Sequence, residues 1–319
     1  MRAAIAEQAG RLADVVRVRE IEEPTPGPGE VTVRMLATTV NPSDAVTVSG
    51  AYGSRTRFPL VPGFEGVGVV ECAGAGVPPD EVGRRVLPLG SAGNWQQLRT
   101  VDAGWCVGVP DDIDDETACF AYINPLTAFL MVERFASEAR TAVVTAATST
   151  IAGHLAELLS RQGIAPTGVV RVSSASRVAD PPLWRSVIRD GDPLPAADVV
   201  FDCVGGRLAP DLVEALTPGG VLVHYGLLSG APLPAACFSG RRGTRVEMFR
   251  LRDTVHSGSR GDLAALMDPV FGHLRAGRLR TAVSDRVRLT DLPTALAEQV
   301  GSTAPRSERS GKLLIDPQA

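Results

Sequence analysis

The chain has 319 residues, of which 44% are hydrophobic and 21% charged, and its formal net charge is −4 at pH 7. That length suits two hydrophobic cores better than one, and the slightly acidic balance leaves no basic footprint for nucleic acid. No apolar run approaches the ~20 residues of a membrane span. The opening MRAAIAEQAGRL lacks the apolar centre of a signal peptide. Cys72, Cys106, Cys119, Cys203 and Cys237 are scattered, odd in number and without a CxxC pair. They read as buried thiols in a reducing compartment, not as a disulfide framework. A cytoplasmic enzyme is the expectation.

Residues 1 to about 118 read as β-rich. AIAEQ, VTVRMLATTV and GVGVVECAG alternate or run apolar over strand lengths, and Gly and Pro separate them, with PGPGE (Pro26 to Glu30) as a turn. Beyond Asp115 the pattern turns helical, in two amphipathic stretches interrupted at Asn124-Pro125. Parallel-sheet signals follow. Strands are predicted at Ala142–Thr145, Gly168–Ser173, Asp198–Cys203, Val221–Tyr225 and Arg245–Phe249, with short crossovers between them. About two dozen residues separate the second of these from ADVVFDCVGG, and a βαβ unit takes roughly 30 residues. One strand on the adenine side is therefore expected to be trimmed or missing. The tail resumes the first domain, with a helix at DLAALMDPVFGHLRAGRL, strands at RTAVSDRVRL and GKLLIDP, and a helix at LPTALAEQV.

Thr141 to His154 (TAVVTAATSTIAGH) reads as a buried strand, a small-residue turn and the start of a helix. A pyrophosphate rests on such a helix N-terminus in dinucleotide-binding folds. Only Gly153 remains of the usual glycines, with Thr150 three residues before it and Ala147 six before. At the end of the second strand, VVRVSSASR offers Arg171, Ser173, Ser174 and Arg177, and no acid before Asp180. Guanidinium and hydroxyl donors suit a 2′-phosphate, so NADP(H) is favoured over NAD(H). The plain alternative is a solvated strand exit. Cys203, Val204 and Gly205, and likewise Gly226 and Leu227, follow strands at their carboxyl ends, where open α/β sheets bind ligands.

NPSDAVTVSGAYG (Asn41 to Gly53), VPGFEGVGVV, GRRVLPL, INPLTAFLMV, VVFDCVGG and SGKLLID together resemble the medium-chain dehydrogenase/reductase superfamily, in order and over nearly the whole chain. The fold implied is α/β: a Rossmann-type doubly wound parallel sheet (119–261) inserted in a discontinuous GroES-like catalytic domain (1–118 and 262–319). Tyr52 in GAYG, Asn94-Trp95 in GNWQQ and INPLTAFLM are most similar to NADPH-dependent trans-2-enoyl thioester reductases of the mitochondrial type. Zinc-free quinone reductases share most of these motifs. GFEG stands where a zinc-dependent relative has GHE, and the four histidines lie elsewhere in the chain, so no metal is expected.

The resemblance makes Tyr52 the proton donor, and gives Asn41 and Trp95 places beside cofactor and acyl chain. A turn-filling Tyr52, an Asx-type turn at Asn41 and a core Trp95 are the bland counterparts. It places Asn124 and Thr127 toward the cofactor, with capping as the alternative. The cofactor turn comprises Ala147, Thr148, Ser149, Thr150 and Ile151 before Gly153, and Ile151 departs from the family's glycine. Phe249 and Arg250 would border the substrate. Three functions stay open. They are an NADPH-dependent 2-enoyl thioester reductase, a quinone or α,β-enone reductase, and a non-catalytic member that keeps the fold. A small-molecule substrate and a homodimer are the expected partners.

Overall fold

A computed structural model describes residues 1–51, 56–171, 178, 180–301 and 311–319. The chain divides into one unit of Met1–Ile123 with Val255–Ala319, and a second of Asn124–Thr254. The first stretch contributes β1 (Arg2–Ala6), α1 (Leu12–Val15), β2 (Val16–Glu20), β3 (Glu30–Thr39), α2 (Pro42–Val48), β4 (Gly66–Ala73), β5 (Arg85–Pro88), β6 (Leu98–Asp102), β7 (Cys106–Gly108) and α3 (Asp115–Cys119). The second unit holds α4 (Thr127–Phe135), β8 (Ala142–Thr145), α5 (Thr150–Arg161), β9 (Thr167–Val170), β10 (Ser186–Arg189), β11 (Ala197–Asp202), α6 (Ala209–Glu214), β12 (Leu216–His224) and β13 (Arg245–Met248). After α7 (Leu251–Ser257), which carries the chain back, the tail adds α8 (Leu263–Arg275), β14 (Val283–Arg288), α9 (Leu292–Gly301) and β15 (Lys312–Asp316).

In the first unit β3 is the central strand. Its apolar residues Val31, Val33 and Met35 are buried, and β4, β6 and β15 all pair with it antiparallel. The described mixed sheet runs β14-β15-β3-β4-β5-β7, with β6 on β3, and β1-β2 pair as a separate two-stranded sheet that packs into the same core as Leu313 and Ile315 of β15. β15 therefore completes a sheet begun by β3, far earlier in the chain. Thr39 Oγ1 fastens it by donating to the Leu313 carbonyl at 2.6 Å. Pro42 opens α2 at a position where its missing N–H costs nothing. Asp44 accepts from the Asn41 amide at 2.7 Å, closing the first turn.

The second unit is a parallel sheet in the order β10-β9-β8-β11-β12-β13. Read in chain order this is 3-2-1-4-5-6, the doubly wound Rossmann arrangement, with its reversal between β8 and β11. The four residues of β8 are buried, as a strand covered on both faces requires. The expected loss of a strand is corrected here. β10 is present and pairs parallel with β9 over Ser186–Arg189. Among the described residues of that connection the helical element is a 3₁₀ turn at Pro181–Leu183. Asn124-Pro125 sits inside a π-turn, Tyr122–Leu126, that runs straight into α4, so the pair does not break the helical path.

Gly168 explains how the trimmed crossover packs. A Cβ at this position of β9 would lie 2.7 Å from Ala147 Cβ and 2.9 Å from the Trp184 ring. Glycine lets both approach the strand, and Trp184 is buried against it. Gly168→Val should cost about 1–3 kcal/mol through overpacking. The check is a lower urea midpoint together with a changed Trp184 emission spectrum.

Candidate functional site

Two buried polar clusters stand out, one in each unit. In the first, Glu65 just before β4 receives Asn41 Nδ2 at 2.9 Å and Lys312 Nζ at 3.2 Å on one oxygen, and the Ile123 amide at 2.7 Å on the other. Lys312 also donates to Asn41 Oδ1 and lies 5.7 Å from the centre of the Phe120 ring. Asp44 is fully buried beside this group and accepts from Gly63 N at 3.1 Å and Phe64 N at 3.2 Å besides Asn41 N. Burial pushes its carboxyl up to about 7, against the pull of the Asn41 and Gly63 amides, Lys312 and the Phe64 amide.

In the second unit the cluster spans the carboxyl ends of β8, β11 and β12. Asp202 accepts from Thr145 Oγ1 at 2.8 Å, Val204 N at 3.0 Å, Gly205 N at 2.9 Å and His224 Nδ1 at 2.9 Å. Burial pushes this carboxyl up, but its hydrogen bonds from His224, Val204 and Thr145 outweigh that and hold it below the ordinary carboxylate range. Burial likewise pushes the Cys203 thiol up to about 11, which keeps it a poor nucleophile at neutral pH.

Next to this cluster the turn after β8 leads into α5. Ala146 takes a left-handed φ of 50°, Ala147 N donates back to Val169 O at 3.1 Å, and Ser149 Oγ caps the helix by accepting from Ala152 N at 3.4 Å. Helix geometry leaves the Thr150 and Ile151 amides without carbonyl partners in α5. An amide needs no glycine, so Ile151 subtracts no donor. Ala147 is buried against Gly168, which accounts for its small size by packing alone. Thr148 is exposed, while Ser149, Thr150, Ile151 and Gly153 are half-buried. An anion thus has two backbone donors and the positive end of a helix dipole here, and a pyrophosphate fits that chemistry.

The other sequence candidates fall as follows. Tyr52, Ser173 and Arg177 lie outside the described residues, while Arg171 is exposed just past β9. Asn41 is buried and its amide group is spent on Glu65 and Lys312, so it bridges a charge pair where a ligand contact was expected. Trp95 is fully buried, and its indole N–H donates to Thr39 O at 2.9 Å. It packs among Ala4, Val48 and Ile315, leaving no face for an acyl channel. Phe249 is also a core residue, edge-on to Phe135 at 6.5 Å, while the exposed Arg250 pairs with Asp253 at 2.7 Å. Asn124 is half-buried in the π-turn and Thr127 is buried at the start of α4.

Cys203 and Val204 have both backbone groups engaged. Their amides go to Thr145 and Asp202, and their carbonyls accept from Leu228 N at 2.9 Å and Ser229 N at 3.1 Å. The expected backbone hydrogen bonds from these two residues to a cofactor are therefore already taken within the protein. Gly226 is half-buried beside Cys203, and Leu227 is exposed. Sequence reading passed over Asp202, His224, Glu65 and Lys312. A signal existed in each: a polar residue ending or entering an otherwise apolar strand, as in VVFD, VLVH, GFEGVGVV and GKLLID. Among the described residues no three His, Cys, Asp or Glu side chains are grouped to hold a metal ion.

Residues 27–111 match the alcohol dehydrogenase GroES-like domain, and residues 186–304 match the zinc-binding dehydrogenase family model. The chain is 28% identical to the mitochondrial enoyl-[acyl-carrier-protein] reductase of Mus musculus, over 93% of this chain and 84% of that protein. It belongs to the medium-chain dehydrogenase/reductase superfamily. A solved protein of Bacillus thuringiensis, assigned as an NADPH:quinone reductase, superposes with a TM-score of 0.89 at 29% identity, covering 99% of this chain and 98% of that one. Escherichia coli quinone oxidoreductase, solved with NADPH, has a TM-score of 0.84 at 20% identity over 99% and 100% of the two chains, a likeness of fold.

Two outcomes are expected of this superfamily member's first unit. Glu65→Gln should destabilise by about 3–5 kcal/mol, because it leaves a buried ammonium without its counter-charge. Adding Lys312→Met should recover part of that loss in a double-mutant cycle read by urea unfolding. Trp95→Phe orphans the Thr39 carbonyl and should cost about 1–3 kcal/mol of stability. Ligand affinity should be unchanged in that variant, as a titration would show.

Proposed function

We propose that this protein is a zinc-independent, NADPH-dependent reductase of an activated carbon–carbon double bond, acting on a 2-enoyl thioester carried by coenzyme A or acyl carrier protein. The observation that carries the cofactor half is the strand-order reversal between β8 and β11, with a small-residue turn running into the N-terminus of α5. The substrate half is supported by the 28% identity to a mitochondrial enoyl reductase over 93% of the chain and by the Tyr52 and INPLTAFLM motifs.

The Thr150 and Ile151 amides would hold the pyrophosphate, and Arg171 with Ser173 and Arg177 would receive the 2′-phosphate. When bound, NADPH supplies a hydride to the β-carbon of the enoyl group. The chain's own part is to hold both reactants, to place donors at the thioester oxygen where charge develops, and to deliver a proton to the α-carbon. Tyr52 is the residue proposed for that last step. A phenol of ordinary pKa near ~10 stays protonated at neutral pH and is still acid enough to protonate a more basic enolate. A quinone or α,β-enone reductase is the second reading, favoured by the 29% identity to the Bacillus thuringiensis protein. A quinol oxygen takes its proton from solvent and needs no tyrosine.

Titration with NADPH and NADH, followed by nicotinamide fluorescence, should give tight NADPH and weak NADH binding. Absence of binding by either would sink the oxidoreductase reading and leave a non-catalytic member of the fold. With crotonyl-CoA, Tyr52→Phe should lower turnover by about 10²-fold or more. A quinone turned over faster than crotonyl-CoA, and indifferent to Tyr52→Phe, would favour the second reading.

A further inference from the structure

Three adjacent parallel strands of the second unit end in polar side chains that bond sideways to one another. Thr145 closes β8, Asp202 closes β11 and His224 closes β12. Asp202 and His224 are buried, with side-chain exposures of 0% and 4%. Such a polar group would be costly in the interior unless its bonds were made, and these are made toward the loop that follows β11. Cys203 N donates to Thr145 Oγ1 at 3.0 Å, Val204 N to Asp202 Oδ1 at 3.0 Å and Gly205 N to Asp202 Oδ2 at 2.9 Å. Three successive amides thus turn back onto the strand ends. The loop after β12 hangs on this one, through Leu228 N to Cys203 O and Ser229 N to Val204 O.

His224 sets the height of the pair of loops. Its Nδ1–H donates to Asp202 Oδ2 at 2.9 Å, the same oxygen that holds the Gly205 amide. Gly205 has φ 66° and ψ −154°, a conformation open essentially to glycine. A Cβ there would come within 3.0 Å of His224 Cε1. The backbone therefore runs directly against the imidazole edge, and the ring is the floor on which the loop rests. Both loops lie at the carboxyl ends of β11 and β12, in the half of the sheet beyond the reversal that receives the second mononucleotide of a dinucleotide. Cys203 and Val204 have their amide donors engaged internally, so what the loop offers a ligand here is its position rather than a free amide at these two residues.

We propose that Asp202 and His224 are positioning residues for the nicotinamide half of the cofactor: the Nδ1–H to carboxylate bond fixes the Cys203–Gly206 loop, and through it the loop after β12, at the height the nicotinamide mononucleotide requires. This inference rests on the NADPH reading above. It predicts a division of labour, because in a doubly wound sheet the adenine half would bind on the other side of the reversal, away from these loops.

The test is a titration of wild type, His224→Asn, His224→Gln and His224→Leu with NADPH and with adenosine 2′,5′-bisphosphate, which carries only the adenine half. Asparagine places an Nδ2–H where the ring has Nδ1–H, whereas glutamine reproduces the far nitrogen. His224→Leu and His224→Gln should lose about tenfold or more in NADPH affinity while keeping wild-type affinity for the bisphosphate. His224→Asn should recover NADPH binding to within about threefold. NADPH affinity unchanged in all three variants would overturn the proposal, as would equal loss of both ligands. Rescue by glutamine and not by asparagine would also overturn it, pointing to a direct contact from Nε2. If wild type bound neither NADPH nor NADH, the functional reading would fall and the inference with it; wild-type binding with unaffected variants sinks the inference alone.

Discussion

Burying an ammonium beside a carboxylate is expensive unless the geometry is good and the remaining hydrogen bonds are made. Glu65 and Lys312 meet that condition across 247 residues of chain. The carboxylate has three donors and the ammonium has two oxygens and an aromatic face. What this secures is the closure of the first unit. β15 enters between β14 and β3 carrying Lys312 at its start, and Glu65 waits just before β4. Asn41 and Asp44 are organised around the same point, so the beginning of α2 inherits its position from the charge pair.

The second unit solves a related problem without a full ion pair. Parallel strands end with polar backbone that must be met at the ligand-facing edge. Here the side chains of Thr145 and Asp202, the last residues of two strands, meet it, and His224 at the end of a third supports Asp202, so that one carboxylate serves four donors. Both devices put a charged group where hydrophobic packing alone would leave the register or the loop height loose. A reductase of the kind proposed has strict need of that, because hydride transfer requires the reacting atoms to be held about 3–3.5 Å apart with aligned orbitals.

Much of this architecture was legible in the sequence because it is written in local periodicity. The β8 strand, its turn and α5 follow from TAVVTAATSTIAGH, and the inserted order of elements follows from the return of strand patterns after α8. β10 was missed because the expected crossover length assumes a helix, and a 3₁₀ turn with Trp184 over Gly168 needs fewer residues. GNWQQ points Trp95 at the acyl chain and the end of a strand pattern points Phe249 at the substrate, yet both are core residues, because an aromatic side chain in a strand-rich segment says nothing about which face it takes. Asn41, Glu65 and Lys312 could not be joined on paper, since their contact is made by sheet closure between the two ends of the chain. Asp202 and His224 each ended an apolar run, and only the pairing of β11 with β12 sets them side by side.

The interrupted layout of the first unit also orders events on the ribosome. A chain made from the amino end presents β3, β4 and β6 early, but β15, which pairs with β3 at Thr38 and Thr39, follows only after the whole second unit. The second unit, Asn124–Thr254, is contiguous and can complete its sheet while the tail is still being made. During that interval the Thr38–Thr39 end of β3 has no β15 beside it and Glu65 lacks the Lys312 cation, a state that invites wrong strand pairing. The sheet of the first unit is thus completed only once β15 has been made, and slow translation before that point would lengthen the exposure of a half-built sheet.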